Sequence, residues 1–119
     1  MPILEITSQR SPKDVNVFVK ELSVAFAELI GKPEEYCLVT FNRVDGFCYA
    51  GNANAGYLAK VGSIGHIDNE RNARLTSRIT ELLHKHLGAG NDRGYFLFTD
   101  LPAENVGFKS TTFAELWKQ

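Results

Sequence analysis

Apolar residues recur along this chain with two periods, and the changes of period mark its elements. Ile3-Leu4-Glu5-Ile6-Thr7 alternates, which puts Leu4 and Ile6 on one face of a short strand at the N-terminus. The spacing then becomes helical: Val15, Phe18, Val19, Leu22, Phe26 and Leu29 form one stripe. Ser11 is placed to cap that helix, with Pro12 suited to its first position and Asp14 three residues after the cap. Gly31 stops it and Pro33 prevents its return. Tyr36 to Phe41 is apolar enough for a strand buried on both faces. Asp45-Gly46 signals a turn, Phe47 to Ala50 a short strand, and Gly51 to Gly56 a loop. A strand over Tyr57 to Ile64 follows, then a helix capped by Asp68, carrying Leu75, Ile79, Leu82, Leu83 and Leu87 and ended by Gly88. Tyr95 to Phe98 reads as a strand, and Asn105 to Phe113 as short strands or turns.

The order strand–helix–strand thus occurs twice. Ser11 to Asp68 and Gly31 to Gly88 are both 57 residues apart, so the two halves keep step. This predicts an α+β fold from a duplicated βαβ unit: one domain over residues 1–119, a four-stranded mixed sheet with two helices on one face. The other face is left uncovered. Leu38, Phe96 and Phe98 are expected to point outward there, and self-association is the simplest cover.

Composition narrows the function. The chain has 119 residues, 44% of them hydrophobic, and a formal charge of -1 from 13 basic and 14 acidic side chains. Without a basic stripe, nucleic acid is not an expected partner. No apolar run is long enough to span a bilayer or serve as a leader, so the expected address is the cytosol. Cys37 and Cys48 match no paired metal motif and read as free thiols of a reducing compartment.

Several chemistries fail on residue type. Gly51 to Gly56 has phosphate-loop glycine spacing, but Tyr57 and Leu58 stand where Lys and Ser or Thr are needed. His84 and His86 are two apart on a helix and face apart, while His66 has no second ligand nearby, so no metal site is expected. There is no Gly-x-Ser-x-Gly. The N-terminus remains. Removal of Met1 ahead of Pro2 gives a secondary amine at the start of a strand, and burial or a nearby lysine lowers such an amine's pKa toward neutrality. By itself the Met-Pro start is explained by translation alone.

Met1-Pro2 is followed by Gly31-Lys32-Pro33-Glu34-Glu35-Tyr36, Ser63-Ile64-Gly65, Asp92-Arg93-Gly94-Tyr95, Asn105-Val106-Gly107-Phe108 and Ser110-Thr111-Thr112-Phe113. In order and spacing these segments resemble the macrophage migration inhibitory factor family, from Pro2 to Phe113. The resemblance implies a homotrimer of double-βαβ subunits. It also implies a keto–enol tautomerase, needing no cofactor, that acts on small aromatic keto or enol acids such as phenylpyruvate, with dopachrome-type isomerisation in some members. Pro2 would be the general base. Lys32 and the N–H of Ile64 would hold the substrate carboxylate, with Ser63 beside them as a further substrate-binding residue. Tyr36, Val106, Phe108 and Phe113 would wall the pocket, Tyr95 would border it from a neighbouring subunit, and Leu97 would lie near the substrate's far end. The same trimer in this family also binds receptor proteins, so signalling after leaderless export is the second implication. Three positions depart from mammalian members: Leu97 stands for an Asn, Phe108 for a Trp, and Gly56-Tyr57-Leu58-Ala59 for a Cys-x-x-Cys segment. Trp117 lies in a tail, through Gln119, that runs past the usual end and is placed to cover a subunit seam or the pocket rim.

Overall fold

The computed structural model describes residues 1–118. Four strands form one sheet: β1 (Pro2–Ser8), β2 (Leu38–Arg43), β3 (Tyr57–Ser63) and β4 (Gly94–Asp100), in the order β2-β1-β3-β4. β1 pairs with β2 in parallel and β3 with β4 in parallel, while β1 and β3 run antiparallel down the middle. Helices α1 (Val15–Ile30) and α2 (Asn69–Leu87) supply the two crossovers. Each parallel pair with its helix is one βαβ unit, and the units meet along the β1–β3 seam. The duplicated architecture is therefore present, and the α+β sheet has its predicted mixed character.

Alternation decides what each face buries. Leu4, Ile6, Ala59 and Val61 point to the helix layer and meet Phe18, Leu22, Phe26, Leu75, Ile79 and Leu83, all buried. Removing that much apolar surface from water is the main driving force of the fold. Gly31 and Gly88, at φ 74° and 71°, end the helices in the left-handed conformation that glycine adopts without steric cost.

Four expectations need correction. The first helix starts at Val15, and its cap is Asp14, whose side chain accepts the Val17 N–H at 3.2 Å. Ser11 and Pro12 lie in the segment that carries the chain from the sheet to the helix layer, so the step of 57 holds for the stop glycines and not for the caps. Second, Tyr36 belongs to a 3-10 turn, Glu34–Tyr36, and β2 is an edge strand with one exposed face, not one buried on both. Third, Phe47 to Ala50 forms no sheet strand; its only pairing is a bridge from Tyr49 to Asn52 across a two-residue turn. Fourth, Phe96 and Phe98 pack toward the core, and the outward residues of β4 are Tyr95 and Leu97. A shift of one residue inverts every side chain of a strand, and an unbroken apolar run gives no cue to its parity.

The uncovered face thus presents Leu38 at 59% exposure, Tyr95 at 63% and Leu97 at 53%. Glu5 and Lys60 sit opposite one another at its centre, between Thr40 and Leu97. After β4 the chain makes a small hairpin, β5 (Gly107–Phe108) and β6 (Thr111–Thr112), and a last turn of helix, α3 (Phe113–Leu116). Among the described residues, no helix is long and apolar enough to cross a membrane.

Candidate functional site

Pro2 is the first residue of β1, an inner strand; it pairs with Ser63 of β3, and the next residue, Ile3, is paired on both sides, with Leu38 and Gly62. The Pro2 side chain is fully buried. A proline is tolerated there because a strand's first residue needs no donor. Beside it opens a cavity of about 330 Å³, at the small end of the roughly 300–1,000 Å³ range of ligand pockets. Met1, Pro2, Ile3, Tyr36, Cys37, Leu38, Val106, Phe108 and Phe113 are among its lining. Three separate segments thus converge on the chain terminus.

The hairpin supplies one wall. Its two turn residues, Lys109 and Ser110, have φ of 52° and 68°, the left-handed pair that a two-residue hairpin requires. The turn sets Phe108 parallel to Phe113, with ring centroids 5.4 Å apart, and Trp117 lies against Phe113 at 5.4 Å. Trp117 therefore extends the aromatic wall beyond the cavity, while Gln119 lies outside the described residues. Tyr36 reaches the opposite wall from its 3-10 turn.

Lys32 follows the α1 stop glycine, and its ammonium donates to the Ile64 carbonyl oxygen at 2.9 Å. That bond ties the end of α1 to the end of β3, and it leaves other ammonium hydrogens free. Burial, then the Lys32 charge, hold the Met1 α-amine, next to Pro2, below the ordinary α-amino range; Cys37 acts the other way. Burial likewise pushes the Cys37 thiol up, so it is not a ready nucleophile.

Pro2, Tyr36, Val106, Phe108 and Phe113 share one cavity, and Lys32 and Ile64 are bonded to each other. Ser63 lies directly across from Pro2 on β3. Tyr95 and Leu97 are not brought there: they stand on the uncovered face of β4, the far edge strand. Tyr95 is held edge-on by Tyr49 at 5.3 Å, and the Arg93 guanidinium lies 5.1 Å over the Tyr49 ring. Arg93 also donates to the carbonyls of Tyr49, Asn54 and Ala55, which fixes the glycine-rich loop as structure. Sequence reasoning missed Cys37 as a cavity residue; its place directly after Tyr36 was the available signal. His66 and His86 are both engaged, against the Ile30 carbonyl at 2.8 Å and the Glu21 carboxylate at 2.8 Å. A larger cleft of about 700 Å³ runs along α2, but small polar side chains such as Thr76, Ser77 and Thr80 line it and no apolar wall converges there.

Comparison with known proteins agrees with this layout. The family model described as macrophage migration inhibitory factor matches residues 1–114. A MIF-like protein of Caenorhabditis elegans is 32% identical over 120 residues, with all of both chains covered. A macrophage migration inhibitory factor homologue of Trichuris trichiura is 30% identical over 115 residues, covering 95% of this chain and all of the relative. The crystal structure of a homologue from Prochlorococcus marinus superposes with a TM-score of 0.88 at 30% identity, covering 93% of this chain and 98% of that one. With the family model matched almost end to end and the double-βαβ fold shared, the chain belongs to the macrophage migration inhibitory factor family of the tautomerase superfamily.

Proposed function

We propose that this protein is a cofactor-independent keto–enol tautomerase of small aromatic 2-keto acids, with the Pro2 amine as general base after removal of Met1. The observation that carries the reading is the placement of Pro2 on an inner strand beside an apolar, aromatic-walled cavity, within the field of Lys32. Desolvation and a neighbouring cation both disfavour a protonated amine, so the same surroundings that lower the Met1 amine would hold the Pro2 nitrogen, once exposed, toward its neutral, basic form. Its lone pair takes the proton from the carbon beside the substrate carbonyl. The C–H electrons become the C=C bond of the enol, the carbonyl π electrons move to oxygen, and the Pro2 ammonium delivers its proton to that oxygen and becomes a neutral amine again. In the reverse direction the same ammonium returns the proton to carbon.

Lys32 holds the carboxylate end as a point charge, assisted by the Ile64 N–H, and Tyr36, Val106, Phe108 and Phe113 take the ring. Tyr95 and Leu97, exposed on the sheet face, complete the site of a neighbouring subunit in a homotrimer. Leu97, apolar where mammalian members have Asn, favours ring substrates without a polar group at the far end. The same departure supports a second reading, in which the trimer acts chiefly by binding a receptor protein and the pocket turns over slowly.

Intact mass together with an ultraviolet assay of phenylpyruvate tautomerisation tests the mechanism. Met1 is absent from the active protein, and Pro2→Gly lowers kcat/KM by at least about a hundredfold, the usual scale of a general base. A fully active Pro2→Gly variant, or full activity with Met1 retained, sinks the assignment.

A further inference from the structure

The Ser63 hydroxyl is fully buried and has no hydrogen-bond partner, the one such side-chain oxygen or nitrogen among the described residues. A buried hydroxyl in that state is destabilising unless it finds a partner. Ser63 is the last residue of β3 and stands opposite Pro2 across the antiparallel seam. Its carbonyl accepts the Leu101 N–H at 2.8 Å, on the β4 side. A strand residue's N–H and C=O point the same way, so Ser63 faces Pro2 as a non-hydrogen-bonded pair. Such pairs bring Cα atoms to about 4.5 Å, with both side chains close together on one face. That face is the helix side, shared with Leu4 and Val61. On that same β4 flank the Asp100 Oδ1 accepts the Gly65 N–H at 2.9 Å.

With Met1 attached, the Pro2 nitrogen is a tertiary amide: it has no N–H and no available lone pair. Once Met1 is removed, the same nitrogen carries one N–H and one lone pair. We propose that Ser63 is the positioning residue of the N-terminal base: its Oγ accepts the N–H of the processed Pro2 amine and so turns the lone pair toward the cavity. The inference rests on the tautomerase reading for its catalytic meaning, though the hydrogen bond itself does not. A secondary amine inverts readily, and the invertomer with its N–H on Ser63 is the one whose lone pair faces substrate. The hydroxyl touches neither substrate nor the moving proton.

The test is a cycle that crosses Ser63→Ala with the state of the N-terminus. One pair of proteins is the processed chain with and without the substitution. The other pair carries one extra residue before Pro2, which keeps its nitrogen an amide. Thermal unfolding is compared at equal protein concentration, since an assembling chain's Tm depends on it. In the extended chain Ser63→Ala removes an unpartnered hydroxyl and raises Tm by a few degrees; in the processed chain it removes a hydrogen bond and lowers Tm by a similar amount. Ser63→Cys, of the same shape but somewhat larger and a weak acceptor, shows the same loss in the processed chain relative to the extended one. In the phenylpyruvate assay the processed Ser63→Ala protein loses about tenfold in kcat with KM within about twofold, as expected of misorientation. Equal Tm changes in both chains overturn the proposal, whatever the activity. Opposite Tm changes with no activity in the parent protein uphold the hydrogen bond and refute the tautomerase reading instead.

Discussion

Lys32 has two tasks at one atom, and they separate on substitution. Its ammonium ties α1 to β3 through Ile64 O, and its charge holds the terminal amine low. Lys32→Gln keeps a donor and deletes the charge. The KM for a carboxylate substrate then rises roughly tenfold or more, as for loss of a hydrogen bond to a charged group. The amine loses a like-charge neighbour, so its pKa rises and the acid limb of the kcat/KM profile moves to higher pH. The stability effect has the matching sign. A depressed amine binds fewer protons folded than unfolded, so stability increases with pH through the window just below the ordinary α-amino range and levels off above it. Lys32→Gln narrows that window. Urea unfolding across it, and pH–rate profiles, measure the two effects; an unmoved acid limb would show that Lys32 does not act on the base. At this scale the sequence was legible where a residue type sits in a motif: Pro2, Tyr36 and Phe108, singled out that way, line one cavity. It was not legible for Cys37 or for the orphaned Ser63 hydroxyl, because lining and pairing depend on register.

Caps and turns hold the site walls at the element scale. The helix signal at Ser11-Pro12 was chemically sound, yet Asp14 takes the cap, three residues closer to the apolar stripe that begins at Val15. Two substitutions distinguish these caps. Asp14→Ala costs about 1 kcal/mol, the usual value of a lost N-cap. Ser11→Ala stays within about 0.5 kcal/mol, as for a surface change. Denaturant midpoints at constant m-value read both, and equal losses would contradict the Asp14 cap. The second element is the β5–β6 hairpin. Lys109 and Ser110 occupy left-handed positions that cost an ordinary residue roughly 1–2 kcal/mol each, and they do so while carrying Phe108 into the cavity wall. Replacing them with Asn-Gly, the pair that turn favours, raises stability by about 1 kcal/mol and leaves KM unchanged. A changed KM would mean that the turn residues themselves shape the pocket. The cap was misplaced by the sequence signals, and the hairpin was readable only as short strands or turns over Asn105 to Phe113. The sequence there lacks the Asn or Gly that announces such a turn, and Ser, Pro and Asp within four residues offer competing starts for one helix.

The whole molecule poses the question of what covers the sheet. Tyr36 to Phe41 read as buried on both faces because Leu38 and Phe41 are apolar on opposite sides, and Tyr95 to Phe98 gave no parity for the same reason. Within one chain half of that reading fails, since Leu38, Tyr95 and Leu97 are all exposed. The pattern makes sense if the outward residues are core residues of an assembly. β2 and β4 are also unpaired edges, and unprotected edges invite a further strand. A closed ring of three subunits would cover face and edges together and bring Tyr95 of one chain to the Pro2 cavity of the next. Light scattering is therefore expected to give a mass near three chains of 13.3 kDa, independent of dilution in the micromolar range. Leu38→Arg places a charge in the middle of the proposed contact, where an unpaired buried charge is strongly destabilising. It should yield a smaller species with little activity even though Pro2 and Lys32 are untouched; Leu38 also lines the cavity, so the oligomeric mass, not the activity, reads the contact. Leu97→Asn is the milder companion: the trimer persists while the ratio of kcat/KM for hydroxylated against plain ring substrates rises. A monomeric parent protein that remains fully active would remove Tyr95 and Leu97 from the site and leave the cavity of a single chain sufficient.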